Sequence, residues 1–463
     1  MRILVLSNFY PPNYIGGYEL GCRDVVERLK ARGHEVRVLT STYQVGSPQR
    51  DGDVYRWLRC DMRLFLSDEG SQLKRGRKSW AVNMLLHSTR LLKMEQQNQR
   101  AMQDVCAEFK PDLVYCWNLR GISISAAYMA RDMGLPVSFF ISDNWLSFWE
   151  MDPWYQVHVT RDRHKVTKLL MKPFQIAASL MKIRPLHGPP DLRNVQFCSQ
   201  FLKDQALRYG RPVEDATVVR WCVDTAAWPF REEQRRPRKL LYVGQTIPSK
   251  GIQTAIKAVA YLRRLGHRDV TLTIAGGSAL ADHDVRVRQL IEKLKLEKEV
   301  HFVGRLPRHE LRELYQSHDI LVFPTIGDEP FAITPLEAMA SGMAVVGTLT
   351  GGSPELFRNN VTALTFDKGD ALACARRISK LLNAPHVAER LRRTGHRVIH
   401  ERHTFDVMLG QIEGCLNQAL AREGRAPIPA AGSSATPAVA LDTPAVTPPA
   451  ATPAAKQPTA PLG

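Results

Sequence analysis

The stretch Glu329-Pro330-Phe331-Ala332-Ile333-Thr334-Pro335-Leu336-Glu337 sets two carboxylates, with seven residues between them, across a loop that runs into a helix. Thr334 is a good N-cap, Pro335 suits the first helical turn, and Leu336-Glu337-Ala338-Met339-Ala340 has the propensity to continue as helix before Gly342. Glu337 then projects from the first turn. Taken alone, Thr334 and Glu337 make a capping box, each satisfying the other's orphan backbone donor. The surroundings ask for more. Phe331, Ala332 and Ile333 aim backbone N–H groups at whatever occupies the helix opening, where the macrodipole favours negative charge, so a phosphate-bearing sugar suits the place. A second opening follows the apolar run 343–347: Gly351-Gly352-Ser353-Pro354-Glu355 reads as a glycine loop, a Ser353 cap and Pro354 starting another helix.

Outward from this stretch, apolar runs of strand length alternate with amphipathic segments of helix length, the signature of βαβ units and parallel sheets. Second-half strands are expected at 239–243, 270–275, 300–303, 320–324, 344–347 and 362–366, with Gly244 opening a loop through Gly251 ahead of a helix to about Leu265. First-half strands are expected at 2–7, 35–40, 112–117 and 136–141, with helices over 18–31 and 123–133. The fold class is therefore α/β: two facing Rossmann-like domains with parallel sheets, 1–228 and 239–402, joined by the charged, proline-containing stretch 229–238, a candidate hinge. Such sheets bind substrates outside the carboxyl ends of their strands, so two facing halves place a cleft between them. Residues 403–421 read as a helix, either a terminal helix of the second domain or a brace crossing back to the first. From 425 to 463 the composition collapses into Ala, Pro, Thr and Ser, which predicts a disordered tail.

At 463 residues the chain is too long for one ordinary core, and 44% hydrophobic with 24% charged residues is the balance of a soluble globular protein. Eight cysteines without a C-x-x-C pair point to a reducing compartment, with the cytoplasm as default. The N-terminal apolar run is too short for a signal peptide, and no run approaches the ~18 to 20 apolar residues of a membrane span. The net charge of +17 calls for an anionic partner. No zinc-finger spacing, helix-turn-helix or RNP-type strand supports nucleic acid. Between His164 and Pro185, however, Lys165, Lys168, Lys172, Lys182 and Arg184 interleave with Val166, Leu169, Leu170, Phe174, Ile176, Leu180 and Met181 at roughly helical spacing. That segment is either a helical insertion packed on its own domain or a peripheral contact with an anionic membrane surface on the inner face.

In order and spacing, the second-half pieces resemble family 4 of the retaining glycosyltransferases, enzymes of the two-domain GT-B fold. They are Gly244…Lys250-Gly251, Ala275-Gly276-Gly277, Phe302-Val303-Gly304, Phe323-Pro324, Glu329…Glu337 running on to Gly342, and Gly351-Gly352…Glu355. The first half is similar through Tyr10-Pro11-Pro12…Gly16-Gly17 and Arg32-Gly33-His34-Glu35-Val36, so the likeness covers most of the chain before the tail. The resemblance implies a nucleotide-sugar donor whose ribose hydroxyls meet Glu337 and whose sugar faces Glu329. It implies that the amides of Phe331, Ala332 and Ile333 and of Gly16 and Gly17 hold sugar and diphosphate, that Lys250 neutralises the leaving charge, and that Arg305 lies near the nucleotide.

Three positions depart from the family pattern. Gln245 stands where arginine is usual, and still hydrogen-bonds phosphate but brings no charge. Ala332 replaces a glycine that lets backbone approach the sugar. A first-domain histidine is missing, and Asp143, in Phe140-Ile141-Ser142-Asp143-Asn144-Trp145, is its best substitute for orienting an acceptor hydroxyl; otherwise it forms an Asx turn. Two D-x-D strings, Asp51-Gly52-Asp53 in a polar turn and Asp282-His283-Asp284 at a helix start, read as incidental, so no catalytic metal and no cofactor are expected.

The reading is transfer of a sugar from a nucleotide diphosphate to a hydroxyl acceptor (glycan, lipid-linked or small molecule), with retention implied by the likeness. The alternatives are a nucleotide-sugar epimerase on the same fold and a non-catalytic nucleotide-sugar-binding protein. The lack of G-x-G-x-x-G after a strand, with an acidic residue ~20 positions on, weighs against a Rossmann dehydrogenase.

Overall fold

A computed structural model describes residues 1–61, 77–158, 165–233, 236–277 and 281–428. The expectation of a disordered tail falls almost wholly on 429–463, outside the described residues. The first half carries strands β1 (Arg2–Leu6), β2 (Glu35–Ser41), β3 (Gln49–Asp51), β4 (Val54–Leu58), β5 (Leu113–Cys116), β6 (Val137–Ile141), β7 (Val195–Phe197) and β8 (Thr217–Val218). They form one sheet in the order β3-β4-β2-β1-β5-β6-β7-β8, parallel throughout except for β3 against β4. Every residue of β5 and β6 is buried, as expected of parallel strands covered on both faces. Helices α1 (Gly17–Ala31), α2 (Arg77–Phe109), α3 (Ser125–Asp132), α4 (Pro153–His158), α5 (Lys165–Leu180) and α6 (Gln200–Arg208) belong to this half.

The second half carries β9 (Lys239–Val243), β10 (Thr271–Ala275), β11 (Val300–Gly304), β12 (Ile320–Phe323), β13 (Ala344–Thr348) and β14 (Leu364–Phe366), all parallel, in the order β11-β10-β9-β12-β13-β14. Its helices are α7 (Ile252–Arg264), α8 (Ala281–Leu294), α9 (Arg308–Ser317), α10 (Ile333–Ala340), α11 (Ala371–Asn383) and α12 (Pro385–Arg402), after which comes α13 (Phe405–Arg422). The winding direction reverses between β9 and β12, as it does between β1 and β5 in the first sheet. β9 and β12 pair through Leu240 with Ile320 and Leu241 with Leu321, at the switch point outside whose carboxyl ends such sheets form a crevice.

The helix after the second sheet crosses back. On α13, Glu413 Oε1 lies 3.0 Å from His34 Nε2 and Oε2 accepts from Arg32 Nη1 at 2.9 Å, while Met408, Leu409, Ile412 and Leu416 are buried in a cluster that includes the first-half core. Phe230 and Arg231 of the expected hinge are fixed to the second half. Arg231 pairs with buried Asp319 at 3.3 Å and donates to His318 O at 2.6 Å, and the Phe230 ring fills the space over Gly342. The chain instead passes between halves at 221–224 and again at 403–404, where Val223 N donates to His403 O and His403 Nδ1 meets Trp221 O, both at 2.9 Å.

Candidate active site

The crevice is built first by close backbone approach. Gly251, with φ +66°, lies where a Cβ would sit 1.9 Å from Pro324 O, so the loop after β9 nests against the loop after β12. Ile326 N and Gly327 N both donate to Ser249 O, at 2.8 and 2.9 Å, and fix the two loops to each other. The D-x-D string at the start of α8 takes part: Asp284 accepts from Thr246 Oγ1 at 2.9 Å and His283 Nδ1 meets Thr246 O at 2.7 Å. It anchors the loop; in the other string Asp51 pairs with Arg56 at 2.9 Å and Asp53 with Lys30 at 3.1 Å. Held in this way, Lys250 on the turn Pro248–Lys250 reaches across and donates to Glu329 Oε2 inside the crevice.

Helix α10 starts earlier than the sequence suggests. Ala332, in extended conformation, is the N-cap, and Thr334 lies inside the helix without a side-chain cap bond. Pro335 is tolerated at the third helical position because the first four N–H groups of a helix lack intrahelical partners anyway. Glu337 therefore falls in the second turn. No capping box forms; Glu337 is 6% exposed and its Oε2 accepts from Tyr315 Oη at 3.0 Å. Burial pushes its carboxyl up to about 7, against the pull of Arg308, Tyr315 and Arg312. The opening read at Ser353 is one 3-10 turn, Ser353–Glu355, with Gly352 as cap. Gly351, at φ +55°, has room for no Cβ, which would lie 1.9 Å from Glu329 O.

On the facing wall α1 begins at Gly17, and Glu19 holds that opening in shape: its carboxylate accepts from Ile15 N at 3.2 Å and Gly16 N at 3.0 Å. Tyr18 Oη donates to Asn8, and the Trp221 ring packs against Gly21 so closely that no Cβ would fit. Asp143 caps the 3-10 segment Asn144–Met151, accepting from Trp145 N at 3.0 Å with one oxygen and from Asn118 Nδ2 at 2.6 Å with the other.

These walls enclose a cleft of about 400 Å³. Gly17, Tyr18, Ser142 and Trp221 line it from the first half; Gln245, Lys250, Glu329, Phe331, Ala332 and Ile333 line it from the second. Most of the residues singled out in the sequence thus meet in one place. Gly16 sits beside the cleft with its N–H taken by Glu19, and Glu337 lies one turn below Ile333 rather than on the wall. Asp143 is next to the lining residue Ser142 but does not line the cleft, and Arg305 is exposed at the end of β11 near Gly277. Sequence reasoning missed Glu19, Tyr18, Trp221, Tyr315 and Arg308. Glu19, at the third position of a glycine-capped helix, carries a capping-box signal; Tyr315, one helix away from Glu337, carries none.

Two doubly wound sheets whose switch points open onto one shared cleft are the GT-B arrangement. The family model for glycosyl transferases group 1 matches residues 225–398, and the model for a glycosyl transferase 4-like domain matches residues 16–168. One match in each half marks the chain as a glycosyltransferase of the group 1 and 4-like type. Glycogen synthase of Mycobacterium tuberculosis is 27% identical over 401 residues, spanning 84% of this chain and 88% of that protein. Sucrose-phosphate synthase of Thermosynechococcus elongatus superposes with a TM-score of 0.64 at 18% identity, covering 91% of this chain and 99% of that one. Anabaena HepE in complex with UDP superposes with a TM-score of 0.61 at 17% identity, covering 90% of this chain and 100% of that one.

Proposed function

We propose that the protein transfers a glycosyl unit from a nucleoside-diphosphate sugar to a hydroxyl acceptor with retention at the anomeric carbon and without a catalytic metal. The observation that carries this reading is the Lys250–Glu329 pair, set at the switch point of the second sheet and facing the opening of α1 across the cleft. When a donor enters, the ammonium of Lys250 turns to the diphosphate, and Glu329 is released to the sugar hydroxyls. The amides at the openings of α1 and α10 take the remaining phosphate and sugar oxygens, and their dipoles stabilise the charge that grows on the leaving diphosphate. Gln245 adds a neutral donor. Glu337 braces the opening of α10 from one turn below, with Tyr315 on its Oε2. The acceptor enters from the first half beside Tyr18, Ser142 and Trp221, with Asp143 positioning the end of β6, and the leaving phosphate oxygen takes the acceptor proton. That the solved relative HepE was crystallised with UDP and with UDP-glucose makes a uridine nucleotide the first donor to try.

The same reading includes peripheral attachment to an anionic membrane surface. One face of α5 packs inward through Phe174, which meets the Trp154 ring, and through Ala178. The opposite face leaves Leu169, Ile176 and Leu180 at 65%, 60% and 81% exposure, a single apolar stripe flanked by exposed Lys172, Lys182 and Arg184. The side chains of Lys165, Lys168, Leu170 and Val166, also part of that segment, lie outside the described residues.

A thermal-shift screen of nucleotide sugars followed by NMR of the product tests the function. A stabilising donor whose sugar reaches an acceptor with unchanged anomeric configuration is expected; an epimerised donor without transfer, inversion, or no stabilising nucleotide contradicts it. Flotation with anionic vesicles at low salt tests attachment, and loss of flotation in Leu180→Glu is the expected result.

A further inference from the structure

Glu355 ends a turn of the second half, yet its carboxylate bonds to the first. Oε1 accepts from Gln200 N at 2.7 Å and Phe201 N at 3.3 Å, and Oε2 accepts from Arg220 Nε at 2.7 Å. Ser199, the N-cap of α6, takes the next amide, Leu202 N, at 3.2 Å. The orphan donors at the opening of α6 are therefore divided between its own cap and a carboxylate delivered from the other half. Glu355 and Arg220 are 14% and 25% exposed, so water replaces these bonds poorly while the halves stay together. Charge favours the arrangement twice, through the helix dipole and through the arginine.

The turn that carries Glu355 also carries the sugar loop. Gly352 N donates to Glu329 O at 2.8 Å, and a Cβ on Gly352 would lie 2.3 Å from Pro330 O and 3.1 Å from Ser199 Cβ. The backbone of Glu329 is thus one hydrogen bond away from a turn whose last side chain is anchored in the opposite domain. We propose that Glu355 is a positioning residue for sugar transfer: it ties the loop bearing Glu329 to α6 and Arg220, so that the loop holds its working place when the two halves are closed. Closure and loop placement then become one event, which limits exposure of a bound donor to water. The idea rests on the reading of Glu329 given above, but its test needs no donor and so fails or succeeds separately.

Residue-resolved hydrogen exchange on the full chain decides it. In Glu355→Ala the amides of Gln200, Phe201 and Gly352 are expected to exchange about tenfold faster or more, with Leu202 and strands β9 to β13 unchanged, the strands reporting an intact fold. Glu355→Gln keeps a carbonyl oxygen for the helix amides and is expected to restore protection at Gln200 and Phe201. Wild-type protection of Gln200 and Phe201 in Glu355→Ala would overturn the proposal. So would acceleration confined to those two amides with Gly352 unmoved, since Glu355 would then be a helix cap and nothing more. If Glu355→Ala does not fold, Arg220→Ala takes its place: faster exchange at Gly352 supports the tie, and unchanged exchange refutes it.

Discussion

Gly16-Gly17 with Glu19 and Gly351-Gly352 with Glu355 stand on opposite sides of the cleft and look alike in the sequence, but they solve different problems. Glu19 folds back on its own loop, capping Ile15 N and Gly16 N, and shapes the opening of α1 locally. Glu355 reaches into the other half. The glycines differ in the same sense. A Cβ on Gly16 would meet nothing nearer than Glu19 Oε2 at 3.5 Å, whereas one on Gly351 would lie 1.9 Å from the backbone of Glu329. One pair serves a loop; the other serves the contact between the sugar loop and the rest of the molecule. A glycine-glutamate pattern alone therefore does not say whether its carboxylate works locally or across a domain boundary.

The largest effect expected from breaking this comparison is at Gly351. Gly351→Ala must move backbone against backbone at positive φ, and is expected to lose about 4 kcal/mol in urea unfolding together with all measurable transfer. Lys250→Ala leaves the fold alone and removes the cation that pairs with Glu329 in the cleft, so turnover with the donor found by the screen is expected to fall about 100-fold.

Glu337 gives a pH-dependent test. Its folded-state value of about 7 stands above the ordinary 4.5, so the folded protein binds the extra proton between those limits. Stability from this group is therefore highest below the lower limit and is lost as pH rises through the upper one. Glu337→Gln should match wild type near pH 5 and exceed it in stability by roughly 2 kcal/mol at pH 8, while weakening donor binding. A stability gap that does not change with pH would mean the carboxyl is not held in its buried state. The smallest effect is at Gly16: Gly16→Ala is expected to stay within about 0.5 kcal/mol of wild type, and a cost like that of Gly351→Ala would erase the contrast between the two pairs.

The second sheet was legible because its strands are continuous apolar runs between glycine punctuation; β9 has the expected bounds, 239–243, and α7 ends within a residue of expectation. The first half was harder. Helix α2 spans 33 residues but hides its period, because its buried face carries Glu95, Asn98 and Gln99. Asn98 uses its amide on Arg59 N, Arg59 O and Ile122 O, so polar residues interrupt a buried face otherwise built from Leu91, Met94, Met102, Val105 and Phe109. β7 and β8, at three and two residues, are too short to show alternation. Within the site, the start of α10 was misplaced because proline suits any of the first four helical positions, and that shift of register moved Glu337 from the rim to a buried bond with Tyr315. The hinge was placed at 229–238 on charge and proline content, which cannot reveal that Arg231 is matched by Asp319 across the fold.

The account rests most heavily on the Lys250–Glu329 pair as the place where a nucleotide diphosphate is received. A crystal structure with the most stabilising nucleoside diphosphate from the screen tests this directly. It should show the diphosphate within hydrogen-bonding distance of Lys250 Nζ and the amides at the openings of α1 and α10, with Lys250 drawn off Glu329. A nucleotide bound elsewhere, with Lys250 still on Glu329, would contradict it.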